Sequence, residues 1–342
     1  MDIERLAAMK TNGRCRGTAT NSGKSTQTIL REATDGRSRR PHKPFTLVLA
    51  GGGARGFAHL GVLRALEAVG YRPAALVGVS MGAVVCVGYC LRQDWYSAVL
   101  AMDTAAFPSP MPTDEQQRVS RRYRWLARWL SLRFIYRALT DWGVGVPARL
   151  AGIRALRTLT MGQPLEDARL PLAVCATDLR SGHRHVLRTG DASDALYASV
   201  ALAGILPPLD RDGLLLADGA YADLAPVDVA REFGNPIVIA INPGQEPVTV
   251  DIRNGLQALR RAIEICNLSH ASARFRQADL VLNPDFRRSV DMLDFAARRE
   301  CVAAGIRAVR AQRKTISALL APDAVSSRDS VALASDDLGD LK

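Results

Sequence analysis

The sequence predicts an α/β fold: a three-layer α/β/α domain with a mostly parallel central sheet. Short apolar runs that suit buried parallel strands alternate with longer segments in which apolar residues recur at helical spacing. A glycine-rich loop follows the first strand and opens a helix, as in units that connect parallel strands. The predicted strands are residues 45–50, 76–79, 172–177, 214–217, 236–241 and 279–282. The predicted helices follow the first two strands, as far as about residues 69 and 91, and then cover 195–203, 226–233, 252–270 and 291–319.

Length, composition and the first residues limit the class of protein. The chain has 342 residues, of which 48% are hydrophobic and 23% charged, so it is neither wholly disordered nor collagen-like. Its six cysteines form no Cys-x-x-Cys pair, which argues against a disulfide framework and against a zinc site. The first ten residues contain no apolar stretch, so no secretory signal is visible and we expect a cytoplasmic location.

The charge is unevenly distributed and separates two predicted tails from the body. Residues 1–44 carry ten Lys and Arg against four Asp and Glu, with few apolar residues in any period, and are predicted to be a disordered basic tail. Residues 320–342 carry two basic against five acidic residues and are predicted to be a disordered acidic tail. Between them we expect a main domain at 45–240, with a helical insertion at about 112–155, and an extension at 241–319 packed on the same domain.

Two segments resemble features that the surrounding residues exclude. Residues 74–91 carry no charge over 18 positions, near the threshold for a membrane span, but their glycines and central serine fit a strand, a tight turn and a helix better. Residues 23–26, Gly-Lys-Ser-Thr, resemble the end of a phosphate-binding loop, but Thr18 stands where that motif needs glycine and no apolar strand precedes it. We therefore predict neither a membrane span nor a nucleotide site in these segments.

The loop after the first strand supplies the first candidate site residues, which are Gly51, Gly52, Gly53, Arg55 and Gly56. The same glycine spacing occurs in dinucleotide-binding folds, where an acidic residue at the end of the second strand binds the ribose. Here the end of the second strand, residues 78–82, holds no acidic residue, so that interpretation fails. For Arg55 we favour a salt bridge that orients the loop over a direct contact with an anionic group of a substrate.

The end of the second strand has the form of a nucleophile elbow, Gly78-x-Ser80-x-Gly82, with Met81 directly after the serine. Small residues let the backbone turn sharply, so we expect the Ser80 hydroxyl above the sheet and at a helix N-terminus, where free amides favour a developing oxyanion. The amides of residues 51–53 can point at the same oxygen. Alone, the motif is equally typical of a tight turn with a small buried serine, but two parts of one oxyanion site favour a nucleophile.

Asp218, followed by Gly219 and Ala220, is the candidate proton acceptor for this serine. The apolar run at 214–217 predicts that the carboxylate lies at a strand end, on the sheet edge where Ser80 emerges. An aspartate within hydrogen-bond reach of the hydroxyl can act directly as a general base. The alternative is an Asx turn that ends the strand, which is the favoured interpretation of an isolated Asp-Gly.

The histidines offer a weaker alternative to Asp218. An α/β-hydrolase triad runs Ser, Asp, His along the chain, and of the five histidines only His270 lies well downstream. His270 continues an apolar face at helical spacing, so an ordinary helix residue is the better interpretation. His59 lies in the first turn of the first helix, where we expect a local hydrogen bond.

The three motifs, in this order, resemble the patatin-like phospholipase family. Weaker similarity continues at residues 176–178, 198–199, 207–208 and 226–227, and the resemblance is close over about 45–240 and looser over 241–315. It implies a Ser-Asp dyad without histidine, in which Ser80 is the nucleophile, Asp218 accepts its proton and the amides around Gly52 and Gly53 form the oxyanion hole. It further implies hydrolysis of acyl esters of phospholipids, lysophospholipids or neutral lipids, with no metal or other cofactor.

Two positions depart from the family pattern. Family members often have proline where Ala203 stands, and asparagine shortly after the Asp-Gly-Ala/Gly motif, where this chain reads Tyr221-Ala222-Asp223-Leu224. Both positions lie near the expected pocket wall. They therefore bear on the substrate class more than on the chemistry.

An arginine-rich aromatic segment lies in the predicted insertion. Residues 120–139 hold six arginines and five aromatic residues, a composition that resembles a helix at a membrane interface. Helical projection gives two apolar stripes with arginines between them. Contact with an anionic membrane surface through Trp125, Arg128 and Trp129, at the inner membrane face, and a helix buried on both sides remain alternatives. No nucleic-acid-binding module is recognisable, so no nucleic-acid partner is expected.

Together these features predict a serine acyl hydrolase that acts on lipid esters. Two other functions use the same fold and residues: a catalytically weak protein that binds lipid or a partner, and an acyltransferase. The presence of both Ser80 and Asp218 argues against the first. The second differs only in the acceptor of the acyl group.

Overall fold

The computed structural model describes residues 41–104, 136, 145–245, 252 and 255–322, and a sheet of eight strands forms the centre of this part of the chain. The strands are β1 (Phe45–Leu49), β2 (Ala75–Val79), β3 (Leu172–Asp178), β4 (Arg184–Leu187), β5 (Leu209–Arg211), β6 (Leu214–Asp218), β7 (Ile237–Ile241) and β8 (Leu280–Leu282). Their order is β5-β6-β3-β2-β1-β7-β8, and β4 pairs with β3. Strands β3, β2, β1, β7 and β8 run parallel. The pairs β3–β4, β3–β6 and β5–β6 are antiparallel.

Helices cover both faces of the sheet. They are α1 (Ala58–Ala68), α2 (Met81–Leu91), α3 (Trp95–Leu100), α4 (Gly145–Thr160), α5 (Ala192–Val200), α6 (Val227–Arg231), α7 (Gly255–Phe275), α8 (Arg298–Ala311) and α9 (Arg313–Leu319). Alternate residues of β1 serve the two faces: Leu47 packs in a core with α1, α2, α5 and α8, whereas Val48 packs with Val227 of α6 and Phe275 of α7. The central strands are apolar on both sides for this reason. The predicted three-layer α/β/α fold is confirmed.

Three strands differ from the sequence prediction. Strands β4 and β5 were not predicted because their sequences, Arg-His-Val-Leu and Leu-Asp-Arg, are largely polar. Neither lies in the buried centre of the sheet, so both tolerate charged side chains. Strand β6 was predicted, but it runs antiparallel to β3. The segment predicted as one helix at 291–319 instead contains a 3₁₀ turn (Phe295–Ala297), α8 and α9.

The boundaries of the two predicted tails need correction. The amide of Lys43 donates to the carbonyl of Leu320 at 3.0 Å, and the ring of His42 packs against that of Tyr71. Leu320 is completely buried, because its apolar side chain completes the core at the end of α9. The remainder of both predicted tails lies outside the described residues, as does most of the arginine-rich aromatic segment, including Trp125, Arg128 and Trp129.

The uncharged stretch at 74–91 forms strand, turn and helix, as predicted. Strand β2 leads through Ser80 into α2, and every residue of α2 is buried. Of the helices in the described ranges, none is long and apolar enough to cross a membrane.

Candidate active site

Ser80 occupies a strained turn between β2 and α2. Its backbone has φ 53° and ψ −125°, and a positive φ of this kind costs a residue with a side chain roughly 1–3 kcal/mol. The two glycines of the motif make the turn sterically feasible, because a Cβ on Gly78 would collide with the backbone of Ala83 and one on Gly82 with the carbonyl of Leu49. Ser80 therefore directly precedes the N-terminus of α2, where the helix dipole favours negative charge.

The hydroxyl of Ser80 donates a hydrogen bond to the carboxylate of Asp218, with 2.7 Å between Oγ and Oδ2. Asp218 is 1% exposed, and its Oδ1 accepts the amide of Ala220 at 2.9 Å. Gly219 lies so close to the carbonyl of Cys175 that a side chain there would collide with it. Burial raises the pKa of Asp218 to about 6, and the hydrogen bonds from Ala220 and Ser80 oppose this rise. The carboxylate is therefore a stronger base than an exposed aspartate and is still ionised at neutral pH.

Asp218 reaches Ser80 by a route that differs from the predicted one. We expected Asp218 at the carboxyl end of a parallel strand, but β6 runs antiparallel to β3. Of β3, only the last three residues, Ala176–Asp178, pair with β6. Asp218 lies opposite Ala176, and the residue before it in β3, Cys175, lies opposite Val79 of β2. This register brings the last residue of β6 level with the residue that follows β2, which is Ser80.

The glycine-rich loop lies directly against the nucleophile turn. A Cβ built on Gly51 would be 3.6 Å from that of Ser80, and one built on Gly56 would meet the side chain of the residue after Ser80. Gly53 has φ 55°, and a Cβ there would collide with the carbonyl oxygen of Met292. Only glycine fits at Gly53. The glycines of the loop have no side chains, so the loop lies close to the backbone of the nucleophile turn.

Three backbone amides at this junction remain available to a ligand. The amides of Gly51 and Ala54 donate to carbonyl oxygens elsewhere in the chain, at 3.2 and 2.7 Å. Within the described ranges, no acceptor binds the amides of Gly52, Gly53 or Met81. Free amides beside a nucleophile are the donors that an oxyanion hole requires.

His59 and Arg55 flank the loop in ways that differ from the predictions. The Nε2–H of the fully buried His59 donates to the carbonyl of Ala50 at 2.8 Å, so its hydrogen bond fixes the start of the loop rather than the local helix turn. Burial lowers the pKa of His59 to about 4, against the effect of the Ala50 hydrogen bond, and the ring is neutral. Arg55 forms no ion pair with another described residue, and its buried Nε lacks a hydrogen-bond partner there; Glu264 and Asp291 attract it from a greater distance.

The histidines contribute no partner to Ser80. All five lie within the described ranges, and the Ser80 hydroxyl donates to Asp218 instead. His270 lies on α7 as predicted, but it is exposed. Ile252, Leu259 and Ile263, which belong to the apolar face that His270 continues, are exposed as well. Among the described residues, no group of three or more His, Cys, Asp or Glu is placed to hold a metal ion.

An apolar cavity that is partly open to solvent lies beside Ser80. Among the described residues, its lining includes no charged side chain and consists of Gly53, Ser80, Met81, Val84, Met102, Val200, Ile205, Leu206, Leu293 and Phe295. Arg298 at the start of α8 connects two residues of this wall, because its guanidinium donates to the carbonyls of Phe295 at 3.1 Å and Met102 at 3.4 Å. The cavity can therefore take an alkyl chain, whereas a charged group must remain outside it.

The two departures from the family pattern are each matched by a contact. The amide of Ala203 donates to the hydroxyl of Tyr221 at 3.0 Å, a bond that proline could not form. Asp223 is 1% exposed, and its carboxylate pairs with Arg184 at 2.6 Å and Arg274 at 3.2 Å. An asparagine at this position would leave both guanidinium groups without this charge.

Ser199 also contacts the site, and the sequence analysis assigned it no role. The hydroxyl of this fully buried residue lies between the nucleophile turn and β3 and bonds to both. The only signal in the sequence was its place in the predicted helix at 195–203, within the weaker part of the resemblance.

Residues 47–231 match the family model described as patatin-like phospholipase. Patatin-like phospholipase domain-containing protein 6 of Mus musculus is 31% identical over 211 residues, which cover 60% of this chain and 14% of that protein. Lysophospholipase NTE1 of Cryptococcus neoformans var. neoformans is 32% identical over 198 residues, which cover 58% of this chain and 11% of that protein. The matched part is thus under a fifth of the length of these relatives. Among solved structures, VipD from Legionella pneumophila is 16% identical with a TM-score of 0.39, covering 81% of this chain and 67% of that one.

Proposed function

The chain belongs to the patatin-like phospholipase family, and from this premise we propose that it is a serine hydrolase that cleaves the acyl esters of lipids. The observation that carries the proposal is the 2.7 Å hydrogen bond from Ser80 to the buried Asp218, beside a loop with free amides. A buried base, a strained nucleophile and unpaired donors within one small region are the parts that acyl transfer needs.

In the proposed reaction, Ser80 attacks the acyl carbonyl carbon while Asp218 accepts the hydroxyl proton. The amides of Gly52, Gly53 and Met81 donate to the oxyanion of the tetrahedral intermediate. The intermediate collapses when the protonated Asp218 returns its proton to the leaving alkoxide, and an acyl-enzyme remains on Ser80. The carboxylate then accepts a proton from water as this water attacks the acyl carbonyl carbon. Asp218 returns that proton to Ser80 Oγ as the bond from Oγ to the acyl carbon breaks and the fatty acid leaves. The pKa of Asp218, about 6, supports both of its roles at neutral pH.

We further propose phospholipids or lysophospholipids as the substrate class. The apolar cavity beside Ser80 has the chemistry of an acyl chain, and its lack of charged side chains leaves the head group outside. The names of the two relatives, a phospholipase domain-containing protein and a lysophospholipase, agree with this class.

Peripheral contact with an anionic membrane surface from the cytoplasm is part of the same proposal. The formal net charge of +11 favours such a surface, and a lipid substrate requires access to one. Anionic vesicles are therefore the substrate form on which we expect the highest rate.

The test is the release of fatty acid from vesicles of phosphatidylcholine and lysophosphatidylcholine, each with and without anionic phosphatidylglycerol. We expect Ser80→Ala to abolish release and Asp218→Ala to lower the rate by about 10²–10⁴-fold, since it removes the general base. His270→Ala serves as the matched control and is expected to keep the wild-type rate. A folded but inactive His270→Ala variant would support a Ser-Asp-His triad instead of the dyad. A wild type that is inactive on all four lipid preparations would support the alternative of a protein that binds lipid or a partner without turnover. Product analysis with added alcohol acceptors separates hydrolysis from acyl transfer.

A further inference from the structure

The hydroxyl of Ser199 connects the nucleophile turn to the neighbouring strand. It accepts the backbone amide of Ser80 at 2.9 Å and donates to the carbonyl of Cys175 at 2.7 Å. Ser199 lies in the last turn of α5, 119 residues from Ser80 along the chain, and is completely inaccessible to solvent. The Ser199 hydroxyl donates its one proton to the carbonyl of Cys175 in β3, so a lone pair of the same oxygen is free to accept the Ser80 amide.

This contact acts on the most strained residue of the site. The positive φ of Ser80 persists only if its surroundings hold it, and its amide precedes α2, where no helical carbonyl can accept it. Without the Ser199 hydroxyl, this amide would lose its acceptor in a partly buried position. The direction of the Ser80 Cα–Cβ bond, and with it the approach of Oγ to Asp218, depends on the same backbone atoms.

We propose that Ser199 is a positioning residue that holds the backbone of Ser80 in its reactive conformation. It acts from α5 and contacts Ser80 through the backbone amide nitrogen, whereas the attacking Oγ bonds to Asp218. Because it occupies that amide, Ser80 donates no backbone hydrogen bond to the oxyanion. The oxyanion hole then consists of the amides of Gly52, Gly53 and Met81. The kinetic consequence rests on the proposed function, whereas the structural one does not.

The structure provides a matched control in Ser193. This serine lies on the same helix, is 1% exposed, and its hydroxyl pairs with that of Thr160 at 3.0 Å, away from the nucleophile turn. Ser193→Ala and Ser199→Ala each remove one buried hydroxyl from α5. Any difference between them in the properties of Ser80 is therefore due to the contact with the turn and not to a general loss of stability.

The first measurement is amide hydrogen exchange at Ser80, which needs no substrate. We expect exchange at Ser80 to rise by about tenfold or more in Ser199→Ala, with little change in Ser193→Ala or at the other amides of β2. Equal protection of Ser80 in both variants would overturn the proposal. If Ser199→Ala does not fold, Ser199→Cys takes its place, because the thiol keeps a weak donor and acceptor, and an intermediate exchange rate is expected.

The second measurement is hydrolysis of a short-chain p-nitrophenyl ester, which needs no membrane surface. We expect Ser199→Ala to lower kcat by about 10–100-fold with KM nearly unchanged, the effect of a nucleophile displaced by a fraction of an ångström. Equal kcat in the Ser199→Ala and Ser193→Ala variants would overturn the role in the reaction. An inactive wild type would instead contradict the proposed function, and the exchange measurement would still decide whether Ser199 holds Ser80.

Discussion

The carboxyl group of Asp218 is completely buried but ionises near neutral pH, which gives the site a characteristic pH dependence. Its pKa of about 6 arises from burial, and the hydrogen bonds from Ala220 and Ser80 keep it from rising further. Only the carboxylate can accept the proton of Ser80. Protonation below this pKa therefore removes the base without breaking the fold.

We accordingly expect kcat/KM for a short-chain ester to fall about tenfold per pH unit below an apparent pKa of about 6. A pH–rate profile of the wild type beside His59→Gln checks this. His59 is neutral, with a pKa of about 4, so His59→Gln is expected to leave the midpoint of the acid limb unchanged. An acid limb near the pKa of an exposed aspartate, or one that moves with the His59 variant, would contradict the assignment of the base to Asp218.

At this scale, local motifs were sufficient to predict the hydrogen-bonded pair of Ser80 and Asp218 but not the residues that support it. Ser80 and Asp218 each stand in a short motif whose small neighbours leave a sequence signal. Ser199 has no comparable motif, because its proposed role depends on a contact across 119 residues. Arg55 shows the opposite case: an arginine in a loop suggested a salt bridge, but sequence does not reveal how deeply a side chain is buried or which carboxylates surround it.

At the scale of elements, apolar pattern predicted where strands lie but not their direction. Strands β1, β2 and β7 are fully buried and were readily recognised. Strands β4 and β5 were not predicted because their charged residues hide the apolar pattern of a strand. Both strands still form, because charged residues do not interrupt pairing outside the buried centre of the sheet. The direction of β6 could not be predicted, since hydrophobic periodicity is the same whichever way a strand runs. Asp218 nevertheless lies at Ser80, because the register of β6 compensates for its direction.

The crossing of α1 and α8 depends on two glycines. A Cβ on Gly61 would collide with the carbonyl oxygen of Val302, and one on Gly305 with that of Ala58, so each helix occupies space that a side chain of the other would need. The glycine-rich loop leads directly into α1. The close approach of α8 therefore also supports the segment that carries the proposed oxyanion donors.

We expect Gly305→Ala to lower the free energy of unfolding by about 1–3 kcal/mol, because the methyl group forces two closely packed helices apart. Gly255→Ala is the matched control: this glycine begins α7, and nothing lies within 4 Å of a Cβ built there. Alanine favours the helical state more than glycine does, so the control should be neutral or slightly stabilising. Urea unfolding of both variants checks the prediction. Equal stability of the two would mean that α1 and α8 tolerate a wider spacing.

At the scale of the whole molecule, the proposed active site carries a cost in stability that depends on pH. The pKa of Asp218 is about 6 in the folded protein against 3.8 for an unperturbed aspartate, so between these values the folded state binds more protons than the unfolded state. The contribution of Asp218 to stability therefore decreases as pH rises from about 4 to about 6 and stays low above that. Burial of a carboxylate charge is the physical cause.

Replacing Asp218 by asparagine removes that charge, and we expect Asp218→Asn to be more stable than the wild type at neutral pH by roughly 1–3 kcal/mol, although inactive. The advantage should be small near pH 4, grow up to about pH 6 and then remain constant. Thermal unfolding at three pH values checks this. Asp178→Asn provides a control of opposite sign: hydrogen bonds from the Ser181 hydroxyl and from backbone amides keep the pKa of Asp178 below its usual range, so its removal should destabilise the protein at neutral pH. If Asp218→Asn were no more stable than the wild type at neutral pH, burial of the Asp218 charge would cost no stability, and burial would not raise the pKa of Asp218. The acid limb of the rate profile would then need another cause.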